Sequence, residues 1–389
     1  MIAIKNGRIV TPDEIIENKV LLIEDDRIFG FSDTTTKAER VVNAHDRYVI
    51  PGLIDVHCDK IEHYIQPRPT SQLDFEYALK VFERDLLGAG ITTIYHSLSL
   101  FKNEFFGKNL MRSFENVKKI ADLIANIHLR YHLIHHRLHL RVEVDNPEAY
   151  DIVTAMIEQK QLHLLSFMDH TPGQGQYRDM DIYKETVFKY SGKEAANFDF
   201  DSVIEYHKNK ETLSFFHLRK LAELAHREKI AVASHDDDCI SKLELNSNIS
   251  IEISEFPIDL DVAKKAKELG FYTVVGAPNI LRGGSHSGNL SALEAILADC
   301  VDIICSDYYP AAILQSLFYL HRKHYLSLPQ VINKATLNPA IATKIADNYG
   351  SISIGKKADL LIVEVLDDYP IITHAFVDGK TTSRIEYRR

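Results

Sequence analysis

The sequence has no apolar run long enough to cross a membrane. No stretch approaches the roughly 18 uninterrupted apolar residues of a spanning helix. Its first residues, MIAIKNGRIVTPDE, lack the apolar segment of a secretory signal peptide. We therefore expect a cytoplasmic protein without a membrane partner.

Cysteines are few, and acidic residues outnumber basic ones. The four cysteines, Cys58, Cys239, Cys300 and Cys305, lack the paired spacings of a disulfide scaffold or a zinc knuckle, so we expect reduced thiols. The formal net charge of −10 excludes the basic footprint that generic binding to nucleic acid or anionic membranes needs. Any anionic substrate must then be held by a local basic cluster.

The remaining composition is that of an ordinary globular protein. The chain has 45% hydrophobic and 26% charged residues, a composition that favours a folded rather than a disordered protein. At 389 residues the chain exceeds the usual single domain, so we expect one large domain plus a smaller one, or two of comparable size. No internal repeat or low-complexity tract is present.

Both ends of the chain alternate short β-rich runs with turns. Asn6-Gly7 and Asp25-Asp26 separate such runs near the start and predict hairpin turns, and residues 377–380 read as another turn. Because chain ends often meet in space, we predict one β-sandwich domain from residues 1–50 and 350–389. Residues 51–349 would form the second domain.

The middle of the chain alternates strand-like runs with amphipathic helical stretches, which indicates βα units around a parallel sheet. Eight strands are predicted, at residues 54–57, 92–96, 139–144, 163–169, 230–234, 251–253, 273–276 and 302–306. Helices are predicted at residues 75–87, 110–127, 150–159, 212–227, 262–269, 291–298 and 331–345. Eight strands predict an α/β fold, the (β/α)₈ TIM barrel. The stretch 171–210 is longer than a βα loop needs and predicts either a functional lid or a plain surface insertion.

Polar residues recur where these apolar strands end. Because side chains alternate faces along a strand, His57 and Asp59 should point one way and Cys58 the other. Residues 139–144 likewise place His139, Arg141 and Glu143 on one face. By contrast, His132, His135 and His136 precede that strand, and we expect polar loop surface there.

Imidazoles and carboxylates at several strand ends suit a divalent metal site, because catalytic groups of a barrel come from the carboxyl ends of its strands. Six nitrogen and oxygen ligands, one carboxylate bridging, would hold two ions about 3.5–4 Å apart. Any single histidine is more often a hydrogen-bonded core or surface residue, but an ordered set favours a site. The candidate ligands are His57, Asp59, Glu143, His170, His235 and Asp307. Zinc is the default metal, with manganese or iron as alternatives.

Several segments resemble the amidohydrolase superfamily. Residues 51–57, PGLIDVH, look like its first-strand signature, although Asp59 stands where a second histidine is usual. That departure resembles the branch that hydrolyses α-D-ribose 1-methylphosphonate 5-triphosphate in phosphonate catabolism. Three further segments look like the same branch: 57–62 (HCDKIE) with 67–69 (PRP), 168–174 (MDHTPGQ) and 278–289 (PNILRGGSHSGN).

The resemblance implies an amidohydrolase-type barrel with a β-sandwich, a phosphorylated small-molecule substrate and two divalent ions. His57 and Asp59 would bind the first ion, Glu143 would bridge, and His170 and His235 would bind the second. Asp307 would orient or deprotonate the attacking water as the catalytic residue. The reaction would cleave the triphosphate chain and release diphosphate.

A glycine-rich loop before the predicted helix 291–298 suits phosphate oxygens through its backbone N–H groups. Four arginines offer forked donors to the anion, although each could equally be a surface or ion-paired residue. The candidate substrate-binding residues are Arg68, Arg141, Arg178, Arg282, Gly284, Ser285, His286 and Ser287.

Two alternatives stay open at this point. One keeps the fold and metals but takes a cyclic amide or aminated ring as substrate. The other is a non-catalytic metal- or nucleotide-binding protein. A homodimer is the expected assembly, because two-fold dimers are the commonest oligomers.

Overall fold

The computed structural model describes residues 1–35, 38–100, 110–169, 210–285 and 289–388. Across these ranges, every helix is too short or too polar to cross a bilayer. All four cysteines are free thiols, as predicted.

Eighteen strands are present in the described ranges. In chain order they are β1 (Ile2–Lys5), β2 (Arg8–Val10), β3 (Ile15–Ile16), β4 (Val20–Glu24), β5 (Arg27–Ser32), β6 (Arg40–Asn43), β7 (Tyr48–Pro51), β8 (Leu53–Cys58), β9 (Ile91–Leu100), β10 (His135–Glu143), β11 (Leu164–Met168), β12 (Ala231–His235), β13 (Ile253–Glu255), β14 (Tyr272–Gly276), β15 (Ile303–Cys305), β16 (Leu360–Leu366), β17 (Tyr369–Val377) and β18 (Lys380–Arg384).

Both ends of the chain build a pair of sheets. One has the order β5-β4-β1-β6, and the other has the order β18-β17-β16-β7-β2-β3. The second sheet joins the termini directly, because β16 pairs antiparallel with β7 and places Leu360 opposite Pro51. A separate apolar core fills this region and includes Ile4, Leu21 and Phe376. The predicted β-sandwich from both termini is therefore confirmed, while its bounds at residues 50 and 350 stay a prediction.

The eight strands β8 to β15 form one parallel sheet in sequence order. The sheet closes on itself through a parallel bridge between Cys58 and Asp307. A (β/α)₈ barrel results, as predicted. All eight predicted strands exist, with shifted ends: β10 begins four residues before the predicted strand, and β13 ends two residues after it.

Helices cover the outside of the barrel. The α-helices are Ile61–Ile65, Phe75–Gly88, Phe114–Asn126, Ala149–Glu158, Phe215–Arg227, Ile240–Asn248, Leu260–Glu268, Ala277–Arg282, Ala292–Leu297, Ala312–Arg322, Leu328–Asn333 and Leu337–Ala342. Several begin at a side-chain cap that accepts a backbone N–H, as Asp74, Ser113 and Ser214 do. Their apolar faces share one core with the outward faces of the strands, including Leu138, Leu140 and Val142.

Three sequence-based predictions of local structure are wrong. Asn6-Gly7 does not close a hairpin, because β1 and β2 belong to different sheets. Gly7 turns a tight corner instead, where an added Cβ would lie 2.7 Å from Val49 Cγ2. The predicted helix 331–345 is two helices, Leu328–Asn333 and Leu337–Ala342, because Pro339 has no N–H to donate and its ring crowds the carbonyl four residues earlier, so it is tolerated only in the first turn of a helix. His135 and His136 belong to β10 rather than to a surface loop, and His136 is buried.

Candidate active site

The seam where the barrel closes carries the first group of site residues. The Asp307 N–H donates to the His57 carbonyl at 2.9 Å, and the Asp59 N–H donates to the Asp307 carbonyl at 3.1 Å. These two bonds fix the ends of β8 and β15 side by side. His57, Asp59 and Asp307 therefore meet at the carboxyl end of the strands, where barrel enzymes place their chemistry.

Asp307 occupies a constrained and buried position. Its backbone is left-handed, with φ +58°, just beyond β15. A Cβ built on Gly276 would lie 3.4 Å from Asp307 Oδ2, so the absence of a side chain at Gly276 leaves room for the carboxylate. Burial raises the pKa of Asp307 to about 7, and the negative charge of Asp59 adds to the shift while Arg141 opposes it.

Asp55 stabilises the contact between β8 and β15. Its Oδ1 accepts the backbone N–H of Ser306 at 3.0 Å and that of His57 at 3.3 Å. The side chain is fully buried, and burial raises its pKa to about 7. One carboxylate oxygen thus joins the residue before Asp307 to the strand that carries His57.

Glu255, at the end of β13, lies at the centre of the lumen. Its Oε1 is 3.0 Å from His57 Nδ1, and its Oε2 accepts a hydrogen bond from Ser166 Oγ at 3.0 Å. The same Oε2 is 3.6 Å from His139 Nε2. The ligand atoms of His57, His139 and Glu255 all lie within 4.8 Å of one another.

His139 is a neutral ring inside this network. Its Nδ1 donates to the Val56 carbonyl at 3.0 Å, since a carbonyl can only accept. Its Nε2 contacts Ser166 Oγ. Burial lowers the pKa of His139 to about 3. His139 Nδ1 and both oxygens of Glu255 are therefore engaged within the protein, while the lone pair of His139 Nε2 lies beside Ser166 Oγ and Glu255 Oε2.

His235, at the end of β12, completes the ring of histidines. Its ring centroid is 5.4 Å from that of His57, and Phe256 packs edge-on against both rings. Arg141 Nη2 lies 3.2 Å from His235 Nε2, and His235 Nδ1 lies 3.0 Å from Asp236 Oδ2. A guanidinium therefore sits among the imidazoles of the lumen.

A second arginine approaches the site from the segment after β9. Arg112 Nε lies 3.1 Å from each oxygen of Glu62. Burial alone would lower the pKa of Arg112, but the charges of Glu62, Asp59 and Glu143 outweigh burial and raise it. Glu143, at the end of β10, is 2% exposed and lies within electrostatic reach of this arginine.

Comparisons with known proteins find hydrolases that this chain resembles. The model of the amidohydrolase family matches residues 211–382. Alpha-D-ribose 1-methylphosphonate 5-triphosphate diphosphatase of Escherichia coli (strain K12) is 29% identical over 385 residues, covering 97% of this chain and 99% of that protein. The chain is similar to this family over residues 211–382 and to the diphosphatase over nearly its whole length.

Solved structures agree with this amidohydrolase fold. A crystal structure of an amidohydrolase has a TM-score of 0.65 at 17% identity and covers 100% of both chains. N-acetylglucosamine-6-phosphate deacetylase from Pasteurella multocida has a TM-score of 0.67 at 12% identity, covering 97% of this chain and 98% of that one. The amidohydrolase barrel with its β-sandwich and the assignment to a hydrolase family are therefore confirmed.

The amidohydrolase barrel brings most of the predicted ligands to one end. His57, Asp59, Glu143, His235 and Asp307 all lie at the carboxyl ends of barrel strands. Of the predicted anion-binding residues, Arg141 is buried in the lumen, whereas Arg68 and Arg282 are exposed. Gly284 and Ser285 are half-buried in the loop after helix Ala277–Arg282. His170, Arg178, His286 and Ser287 lie outside the described residues, as does most of the segment 171–210, predicted to be a lid or a surface insertion.

Sequence reasoning missed three residues of this amidohydrolase site. Glu255 was passed over because the sixth strand was predicted to end at residue 253, so its carboxylate did not stand at a strand end. His139 was placed on the polar face of its strand but given no role. Arg112 follows no strand directly, and its proximity to Asp59 and Glu143 comes only from the fold.

The donor set fits a divalent cation. Asp59 Oδ1 is buried and has no hydrogen-bond partner within the described ranges. Glu255 holds His57 by Nδ1, which leaves Nε2 as the nitrogen available to a metal, the arrangement that outer carboxylates impose on metal-binding histidines. Since both oxygens of Glu255 already contact His57 and Ser166, the mouth residues offer the better carboxylate ligands.

Proposed function

We propose that this amidohydrolase cleaves the triphosphate chain of α-D-ribose 1-methylphosphonate 5-triphosphate and releases diphosphate. The observation that carries the proposal is the likeness to the Escherichia coli diphosphatase, which extends over 97% of this chain. The site chemistry is compatible with it, because two arginines lie among the carboxylates and imidazoles of the mouth.

The residues that would hold metal are His57, Asp59, Glu143, His235 and Asp307, with His170 as a further candidate outside the described ranges. Their mixed imidazole and carboxylate donors suit zinc, manganese or iron. A bound divalent ion supplies a lowered water pKa and neutralises charge on a phosphoryl oxygen.

The protein's own groups would position the reactants. Asp307 would accept the proton of the attacking water at a carboxylate oxygen, because the barrel seam fixes it beside Asp59. Asp55 would keep Asp307 in place through the Ser306 N–H. Glu255 would keep His57 in one orientation by holding its Nδ1.

Arg141 and Arg112 would bind the anionic chain. Arg112 contacts Glu62 through Nε, so its two terminal nitrogens remain the forked pair that phosphate oxygens prefer. The exposed Arg68 and Arg282 would contact the substrate only at the rim of the mouth. This division ranks the arginines by position, which the sequence could not do.

Phosphorus NMR tests the proposal directly. The protein reconstituted with Zn²⁺ or Mn²⁺ is given the ribose triphosphate, and we expect diphosphate and the 5-phosphate of ribose 1-methylphosphonate as products. The Asp307→Asn variant, with unchanged circular dichroism, should lose at least about 100-fold in kcat, within the range that general-base catalysis contributes. A protein that leaves this compound and nucleoside triphosphates intact while opening a cyclic amide contradicts the proposal.

A further inference from the structure

A second group of metal-binding side chains lies away from the mouth, where the barrel meets the β-sandwich. His135 is the first residue of β10, Asp359 directly precedes β16, and Asp378 occupies the turn between β17 and β18. One ligand atom from each residue lies within 4.8 Å of the other two. His135 is four residues before His139, which is about 13 Å along the strand from the lumen network.

The backbone orients these side chains toward one point. The Asp378 N–H donates to Asp359 Oδ1 at 2.8 Å, which leaves Asp359 Oδ2 facing His135 Nε2 at 3.0 Å. Asp378 is held at φ +48° in the tight turn before Gly379. Ligand side chains fixed in this way by a neighbouring N–H are typical of metal sites.

The facing atoms are buried but do not form ordinary hydrogen bonds. Asp359 is 7% exposed, and neither its Oδ2 nor His135 Nε2 has a hydrogen-bond partner of acceptable geometry in the described part of the chain. The two atoms are 3.0 Å apart, which is close enough for a hydrogen bond, but their relative orientation does not allow one. Buried polar atoms are almost always paired, and an imidazole nitrogen and a carboxylate oxygen this close together can instead be satisfied by a shared cation.

The side chains around the cluster carry charges of both signs. Lys357 Nζ lies 3.0 Å from Asp378 Oδ1 and also contacts Asp26, and Arg137 lies within electrostatic reach of His135. Arg27 also lies 3.7 Å from Asp26. Burial alone would lower the pKa of His135, but Asp359 outweighs burial and raises it, so a bound metal would replace the proton that His135 shares with Asp359. A carboxylate oxygen has two lone pairs, so Asp378 can keep Lys357 and still bind a metal.

We propose that His135, Asp359 and Asp378 bind a divalent transition-metal ion that fastens the sandwich to the barrel. One imidazole and two carboxylates suit zinc, with water completing the coordination. The proposal is independent of the reaction at the mouth, because it concerns other residues and a different readout.

Zinc content per chain tests this proposal. Full-length wild type, His135→Gln, Asp378→Asn and the control His132→Gln are dialysed against Zn²⁺, and bound zinc is counted by mass spectrometry. His132 lies in the same segment, and its ring hydrogen-bonds to the Arg130 carbonyl rather than to any residue of the cluster. Asparagine tolerates the left-handed backbone of position 378.

We expect His135→Gln and Asp378→Asn to hold about one ion fewer than wild type and His132→Gln, with hydrolytic activity unchanged. Equal zinc in all four proteins overturns the proposal and leaves a histidine–aspartate ion pair only. If both cluster variants fail to fold, a zinc-edge anomalous map of the wild type decides, since a peak among the three side chains supports the site and its absence rejects it.

Discussion

Glu255 is the residue on which the geometry of the lumen depends most. It contacts the Nδ1 of His57 and lies beside His139, and no water has access because its side chain is fully buried. Removing its charge would free the His57 ring to rotate and change which nitrogen is protonated. Mutation of such an outer carboxylate typically lowers metal affinity or activity by about 10–100-fold.

We therefore expect Glu255→Gln to lower metal affinity and kcat by about 10–100-fold without unfolding the protein. Titration with Zn²⁺ and steady-state kinetics measure both. Glu252→Gln is the matched control, because Glu252 lies three residues earlier and pairs with Lys344 at the opposite end of the strand. Equal effects of the two substitutions would show that Glu255 has no special role.

Arg112 provides a test of substrate binding. If it holds the anionic chain, Arg112→Gln should raise KM for the ribose triphosphate by about 10–100-fold, which corresponds to the 1.5–3 kcal/mol of a hydrogen bond to a charged group. The effect on kcat should be smaller. Arg130→Gln, which removes an exposed arginine paired with Glu76, should leave KM unchanged. An unchanged KM in Arg112→Gln assigns this residue to the ion pair with Glu62 alone.

His163 predicts how stability depends on pH. Its Nδ1 accepts the Leu138 N–H at 3.1 Å, so the folded protein needs the neutral ring. Burial, and then the charge of Arg137, lowers the pKa of His163 to about 3. Between pH 3 and the unfolded pKa of about 6.5, the unfolded chain binds the extra proton, and stability falls as pH is lowered through 6.5.

At pH 5.5 this single group should lower the free energy of unfolding by about 1.4 kcal/mol relative to pH 7.5. Urea unfolding of wild type and His163→Gln at both values measures it. The variant should lose less stability than wild type by about that amount, because glutamine does not titrate. The same pH dependence in both proteins would contradict the assignment.

At the scale of single residues, the sequence predicted those side chains that directly follow a strand. His57, Asp59, His235 and Asp307 stand at clear boundaries between apolar runs and polar residues, and strand alternation sets their direction. Arg112 and Asp55 could not be found in this way, because their contacts join segments far apart in the chain. His135 was misjudged because a strand rich in histidine and arginine lacks the apolar pattern of a core strand.

At the scale of elements, the passage from sandwich to barrel is the tightest point of the fold. Gly52 separates β7 from β8, and a Cβ there would lie 2.1 Å from Thr92 Oγ1. Thr92 is 1% exposed in β9 and cannot move aside. The register of the first two barrel strands therefore depends on a residue without a side chain.

Gly52→Ala should destabilise the protein by about 1–3 kcal/mol, the usual cost of overpacking a filled core. Gly88→Ala is the control, because its Cβ would meet nothing within 4 Å at the end of helix Phe75–Gly88, and we expect no loss there. Chemical denaturation compares the two. Equal stability of Gly52→Ala and wild type would mean that Thr92 or β9 shifts without cost.

Eight strands and most helices were predictable because buried parallel strands are short, apolar and bounded by polar residues. The errors come from long-range effects. Asn6-Gly7 has hairpin chemistry, yet the strands on either side join different sheets because their apolar faces pack on different partners. The predicted helix 331–345 is interrupted before Leu337 because Pro339 can stand only in the first turn of a helix, which outweighs apolar periodicity.

At the scale of the whole molecule, the two chain ends form one structural unit that also covers the barrel. β7 leads into β8 through Gly52, whose N–H donates to the Asp359 carbonyl at 2.8 Å, so the first barrel strand and the returning chain are bonded to each other. The sandwich therefore supports the start of the strand that carries His57. The lid or surface insertion at 171–210 and the homodimer stay predictions.

The central claim is that side chains from separate barrel strands form one metal centre at the mouth. Anomalous diffraction from crystals grown with Zn²⁺ or Mn²⁺ tests it most directly. We predict density bound by His57 and Asp59 together with His235, Glu143 or Asp307, with Arg141 moved off His235. Crystals that bind metal only away from the mouth, with Arg141 still against His235, would contradict the account.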